Sequence, residues 1–268
     1  MNAQEVLALF NREQRFEIEY PGMRKDVLPD EAQPNCIRFV RPAPGMSYIT
    51  YSQLDEANAD AMIQEQIAYF THIDQPFTWK VYNYDTPPDL KQRLLLHGFE
   101  PDDEDAVMIL DLRQAPPALL EPLSADMRRI THRDQLADVI RVEEQVWGAN
   151  FDWITGRLGD HLEIPGYISV YVAYADGKPA CTGWTYFVPK GQFASLWGGS
   201  TVAENRQRGL YTAILAARLQ EALLRGYLYL TIDASPMSRP IVAKHGFQVL
   251  AYTQDFHWTP KHPQGDFP

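Results

Sequence analysis

The sequence predicts an α/β fold made of two mixed-sheet units in tandem. Three observations carry that prediction. Strand-like and helix-like stretches alternate along the whole chain. A group of residues in the first half recurs in the second at a constant interval of 148 positions. The chain has 268 residues, 45% of them hydrophobic and 12% aromatic, which is long for one ordinary domain and enough to fill two cores.

In the first half, residues 3–16 read as a helix, with Val6, Leu7, Leu9 and Phe10 on one side. Residues 36–40 and 48–51 read as strands joined by the turn Pro42-Ala43-Pro44-Gly45. Residues 55–70 are helix-like, because Ala61, Met62, Ile67 and Phe70 recur at roughly helical spacing. Residues 77–82 form a strand. Residues 87–96 form a helix with prolines at its start and Gly98 past its end. Residues 106–110 form another strand. The segment Gln114-Ala115-Pro116-Pro117-Ala118 reads as a linker, which gives domains over 1–118 and 119–268.

In the second half, residues 134–147 are a helix with Leu136, Val139, Ile140 and Val146 apolar. Residues 168–174 and 180–188 are strands joined by Asp176-Gly177, a strong hairpin signal. Pro189-Lys190-Gly191 turns the chain into a third strand that starts at 193–197. A long helix runs to about Arg225, with Leu210, Ile214, Leu215, Leu219, Ala222 and Leu223 on its buried side and Gly226 ending it. A strand over 227–232, a short helix over 238–244 and a final strand region over 248–258 complete the chain.

The recurring residues are Asp85 with Asp233, Pro88 with Pro236, His97 with His245, Gly98 with Gly246, and Phe99 with Phe247. Five matches at one register point to duplicated units. Each histidine precedes a glycine at a helix C-terminus, where a cation would complement the helix dipole.

A formal net charge of -11 argues against nucleic acid or an anionic membrane as the main partner. It suits a cationic substrate such as an amine, although solubility alone also explains it. No apolar run reaches membrane-spanning length, and Met1-Asn2-Ala3-Gln4-Glu5 lacks the layout of a signal peptide. Cys36 and Cys181 lie 145 positions apart with no metal-ligand spacing around either. The expectation is a reduced cytoplasmic protein without a metal.

Arg206-Gln207-Arg208-Gly209-Leu210-Tyr211 follows a strand-like run and opens the long helix. Free N–H groups and the dipole at a helix start favour an anion, and Gly209 lets the backbone come close. The two arginines oppose the dipole unless an anion sits there, at about a few tenths of a kcal/mol each. Basic residues also occur at helix starts without ligands, so the motif alone leaves both readings open.

From Gly199 to Phe247 the chain resembles the core of the GNAT superfamily of acyl-CoA N-acyltransferases. In that family a Q/R-x-x-G-x-G/A turn holds the coenzyme A pyrophosphate. Arg206 and Gly209 match its first and fourth positions, and Tyr211 stands where Gly or Ala is usual. Gly199, Ser200 and Thr201 fall on the strand that contacts the coenzyme, and Ser235 sits where an Asn often does. Gly246-Phe247 matches the closing Gly-Phe pair. The resemblance implies two strands that splay to admit the pantetheine, with Gly198-Gly199 suited to a bulge there. The implied coenzyme set is Gly199, Ser200, Thr201, Arg206, Gln207, Arg208, Gly209, Leu210, Tyr211 and Ser235. The implied reaction is transfer of an acetyl group from acetyl-CoA to a primary amine of a small molecule or peptide, without a metal.

The resemblance places a catalytic Tyr at the position of Val242, so that acid is missing. Tyr252, Tyr211 or water could take its place. Glu143 and Glu144 are the candidate bases, and Trp147, Asp152, Trp153 and Trp197 the candidate acceptor lining. In the first half, Asp55-Glu56-Ala57-Asn58-Ala59-Asp60 replaces the phosphate turn, and its three carboxylates would repel pyrophosphate. That half reads as a degenerate copy. Two other readings stand beside catalysis: a coenzyme-A-binding regulator without activity, and an interaction module with no nucleotide site.

Overall fold

The computed structural model describes residues 2–29, 35–43, 45–123 and 125–261. Of the expected turn at 42–45, Pro44 lies outside the described residues. The chain packs as two compact units. The first comprises Met1–Val107, Asp233–Arg239 and Val249–Pro268, and the second Met108–Ile232 and Pro240–Gln248.

In the first unit, α1 (Ala3–Phe10) starts at a capping box between Asn2 and Glu5. The expected helix to Phe16 is α-helical only over this part, and Asn11–Phe16 continue as a π-helical turn. Then come β1 (Arg24–Leu28), β2 (Cys36–Val40), β3 (Ser47–Ser52), α2 (Ala59–His72), β4 (Phe77–Tyr82), α3 (Leu90–Leu96) and β5 (Glu100–Asp111). β1 to β3 pair antiparallel in sequence, and β3 pairs parallel to β4. Phe70 stacks on Phe77 at 4.2 Å, and these rings share one core with Trp79, Phe99 and Ile63.

The second unit holds β6 (Met127–Ile130), α4 (Leu136–Trp147), α5 (Trp153–Leu162), β7 (Ile168–Ala175), β8 (Lys178–Phe187), β9 (Phe193–Thr201), α6 (Leu210–Leu224), β10 (Tyr229–Ala234) and α7 (Arg239–Ala243). β6 to β9 are antiparallel neighbours, and β9 is parallel to β10. Asp176 and Gly177 both have positive φ, 53° and 75°, as a tight hairpin turn requires. The segment expected as a linker forms two short 3-10 turns and buries Leu119, whose carbonyl accepts from Gln220 Nε2 of α6.

The last strand, β11 (Gln248–Trp258), pairs antiparallel with β4. The sequence boundary assigns it to the second domain, but packing assigns Val249 onward to the first unit. The reason is that Phe256 and Trp258 complete the core around Phe77 and Trp79.

The repeat extends from residues to topology. β1-β2-β3-α2-β4-α3-β5 and β7-β8-β9-α6-β10-α7-β11 run in the same order, each with two antiparallel pairings and then a parallel one across a helix. Gly98 and Gly246 have φ of +87° and +89°. In one copy Gly98 N donates to Leu95 O and Phe99 N to Leu94 O. In the other Gly246 N donates to Ala243 O and Phe247 N to Val242 O. Both phenylalanines are buried.

A buried ion pair pins the start of the first unit. Arg15, on the π-helical turn, donates to both Asp85 oxygens at 2.8 Å and to the Thr50 carbonyl at 3.0 Å, while its guanidinium lies 4.0 Å from the centre of the Tyr82 ring. Removing one partner leaves a charge in a low-dielectric site. Asp85→Ala is expected to destabilise the chain by about 3–5 kcal/mol, read as a shift in the urea midpoint at constant slope.

Candidate functional site

The site in the second unit begins at an irregularity in β9. The β8–β9 register shifts between Thr182 and Trp184, so that Gly198 and Gly199 together face Gly183. This is a β-bulge. Gly198 has φ +59°, and a Cβ there would lie 1.8 Å from the Trp184 ring. A Cβ on Gly199 would lie 2.9 Å from the Tyr211 ring. Both positions therefore require glycine: one by conformation and contact, the other by contact alone.

β9 pairs with β10 over Phe193–Ser195 against Tyr229–Thr231, and then runs on to Thr201. Beyond Thr201 a 3-10 turn leads to Arg206. Gln207 takes φ +61° and Gly209 φ +79°, and Gly209 is the N-cap of α6. No side chain caps the first turn of that helix, so its N–H groups are left for another acceptor. The apolar residues Leu210 and Ile214 anchor the helix start in a core with Val142, Cys181 and Val202.

Arg206 and Arg208 are exposed at this turn. Arg206 Nε donates to the Thr201 carbonyl at 3.3 Å. Arg208 Nη1 donates to Asn205 at 2.7 Å and to Asp176 at 3.2 Å. Such surface contacts are worth little and yield readily to a ligand.

Arg218 of α6 lies beneath the bulge and is fully buried. Its Nη1 donates to the carbonyls of Trp197 at 3.3 Å and Trp184 at 3.5 Å, the pair of residues next to the bulge. Burial lowers its pKa, partly offset by Tyr211 and Cys181. Nε and Nη2 have no hydrogen-bond partner among the described residues. The guanidinium thus holds the bulge at the expense of stability. Arg218→Met is expected to raise Tm by a few degrees in calorimetry while weakening binding at the β9 edge.

On the other face of β9, α4 presents Glu143, which is only 2% exposed. Its Oε2 accepts from Ser200 Oγ at 2.9 Å and from Trp147 Nε1 at 3.0 Å. Oε1 has no partner among the described residues. Burial pushes the carboxyl up to about 7, against the two hydrogen bonds that favour its charged form. A carboxyl titrating near neutrality with a free oxygen can exchange a proton with a bound group.

The structure brings Gly199, Ser200, Thr201 and the run Arg206–Tyr211 together in the second unit. Tyr211 packs on Gly199, and Leu210 is buried as part of the core. The Ser200 side chain turns to Glu143, and Thr201 Oγ1 meets Cys181 Sγ at 3.1 Å. Ser235 belongs to the first unit, where its hydroxyl meets that of Ser238 at 3.2 Å. Tyr252 also belongs to the first unit, with its backbone N donating to Asn83. Glu144 is half-buried, and its neighbour Glu143 is the one enclosed. Burial lowers the pKa of His245, so its ring is held toward the neutral form rather than acting as a cation at the helix end. Both cysteines are buried free thiols, pushed up to about 12 at Cys36 and about 11 at Cys181.

The residues of the first unit that correspond to the turn are organised differently. Asp55 Oδ1 accepts from Ala57 N at 2.8 Å and Asn58 N at 2.9 Å, just ahead of α2. A carboxylate of the chain itself fills the place of an outside anion.

Solved structures of GCN5-related N-acetyltransferases share this fold. The chain resembles a GCN5-related N-acetyltransferase from Kribbella flavida with a TM-score of 0.68 at 12% identity, over 98% of each chain. It resembles a tandem GNAT protein from the clavulanic acid biosynthesis pathway with a TM-score of 0.61 at 14% identity, over 98% of this chain and 89% of that one. A GCN5-related N-acetyltransferase from Sphaerobacter thermophilus gives 0.57 at 15% identity, over 96% and 85%. No protein-family model and no curated protein matches the sequence. Among the described residues, no helix is long and apolar enough to cross a membrane.

Proposed function

We propose that the chain is a tandem GNAT N-acetyltransferase that moves an acetyl group from acetyl-CoA to a primary amine, with one working site in its second unit. The observation that carries this reading is the pairing of an uncapped glycine-started helix, which follows the bulged strand β9, with a buried carboxyl on α4 that accepts from Ser200 of that strand and is pushed up to about 7.

Coenzyme A fits the groups present. The N–H groups of Leu210 and Tyr211, with Arg206 and Arg208, suit a pyrophosphate. The β9 edge beyond Ser195 suits an extended amide-bearing chain, which would bond to it as a strand does. Tyr211 is the departure from the family turn. Its ring covers Gly199, where a smaller residue would leave room, so the phosphate contacts fall to Arg206, Arg208 and the backbone.

The residues of the chain then divide the chemistry. Glu143 Oε1 takes a proton from the substrate ammonium, which frees the nitrogen lone pair. Nitrogen bonds to the thioester carbonyl carbon, the carbon–sulfur bond breaks, and the sulfur leaves as a thiol by taking the proton that the new amide nitrogen sheds. Trp147 and Ser200 hold Oε2 so that Oε1 is the basic atom. The first unit carries no equivalent turn and acts as a scaffold. A thiol-release assay with acetyl-CoA and a panel of primary amines tests the reading. Amine-dependent thiol release is expected, and its absence across the panel contradicts it.

A further inference from the structure

Glu143 does not stand alone. Trp147, 59% exposed, is fixed by bonds from its Nε1 to Glu143 Oε2 at 3.0 Å and Ser200 Oγ at 3.1 Å. Its polar atom is used and its ring is left to solvent. Trp197, 49% exposed, precedes Ser200 on β9 and stands opposite Trp184, which is buried. Trp197 lies edge-on to Tyr186 at 6.4 Å, and the Tyr186 hydroxyl is tied to His161 Nδ1 at 3.0 Å. Two exposed indoles, Trp147 of α4 bonded to Ser200 and Trp197 three positions earlier on β9, therefore make an aromatic wall beside a buried carboxyl whose Oε1 has no hydrogen-bond partner among the described residues.

Large aromatic rings left exposed and immobilised are unusual unless something covers them. The wall fixes the occupant's chemistry. Indole faces attract an ammonium and stack on a planar apolar body. Glu143 is the carboxyl bonded to Trp147, and it matches one ammonium, so the remaining cations of a polyamine would gain nothing from the indole wall. A sugar amine would bring hydroxyls to surfaces that offer few partners. The net charge of -11 draws cations toward the chain in general.

We infer that this face binds an arylalkylamine, a primary amine on a short arm from an aromatic ring, with the ammonium at Glu143 and the ring against Trp147 and Trp197. The inference deepens the acetyltransferase reading and rests on it for the identity of the acceptor. The binding itself is measurable without any transfer.

The test titrates 2-phenylethylamine, glucosamine and spermidine against the full chain and follows tryptophan fluorescence. Saturable quenching by 2-phenylethylamine is expected, with affinity at least about tenfold above that for the other two. Trp197→Ala is expected to lose about tenfold of that affinity while the circular dichroism spectrum and the urea midpoint stay the same, which shows that the fold persists. Tighter binding of glucosamine or spermidine, no saturable binding of 2-phenylethylamine, or an unchanged affinity in Trp197→Ala overturns the inference. Binding as described without thiol release contradicts the transfer reading and leaves the aromatic site standing.

Discussion

Glu143→Gln is expected to lower the rate of amine acetylation by about two to four orders of magnitude. The replacement keeps the shape and an acceptor oxygen for Ser200 and Trp147, so the local geometry survives. What it removes is the ability of Oε1 to take a proton. The pH dependence gives a second readout. With the carboxyl pushed up to about 7, the rate with the parent chain rises as pH passes through about 7, and the Gln variant loses that rise. The sign of the stability effect is opposite. The folded state binds the Glu143 proton more tightly than the unfolded chain does, so this group's contribution to stability falls between the ordinary glutamate range and pH 7. Above pH 7 the Gln variant should therefore be more stable, by on the order of 1–3 kcal/mol. A variant that is less active and more stable at high pH marks a group kept for chemistry. Equal activity in parent and variant would remove Glu143 from the mechanism.

The second large effect is at the turn. Arg206→Glu reverses the charge beside the helix start, and Gly209→Asp places a carboxylate where the phosphate is proposed to sit. Each should weaken coenzyme binding by about 100-fold or more, with the fold intact. Nothing lies within 4 Å of a Cβ built on Gly209, so Asp meets no clash. Its φ of +79° costs about 1 kcal/mol, which a domain of this kind tolerates. Titration calorimetry reads the affinity, and circular dichroism reads the fold.

Much of the second unit was legible because its signals are local. The Asp176-Gly177 hairpin, the apolar period of α6 and Gly226 at its end each specify backbone within a few residues. The bulge was legible as Gly198-Gly199 because only glycine permits that approach. β1 was missed because Arg24–Leu28 is a short, charge-rich strand without alternation, and α5 because two glycines interrupt its period. The boundary at 118 follows a proline cluster, whereas the placement of β11 depends on Phe256 and Trp258 finding a core formed by residues far away in sequence. The choice between Glu143 and Glu144 rests on helix phase: Glu143 stands three or four positions from Val139, Ile140 and Val146 and shares their buried face, while Glu144 is turned about 100° away from it. Arg218 carried no sequence signal at all. A cation inside an apolar helix face reads as a surface residue until the strand above it is known.

The central claim is one coenzyme site per chain, at Arg206–Tyr211, with the corresponding place in the first unit filled by Asp55. Calorimetric titration of the full chain with acetyl-CoA, repeated on Gly209→Asp, tests it most directly. The prediction is one molecule bound per chain by the parent and none measurable by the variant. Two molecules per chain, or undiminished binding by Gly209→Asp, would contradict it.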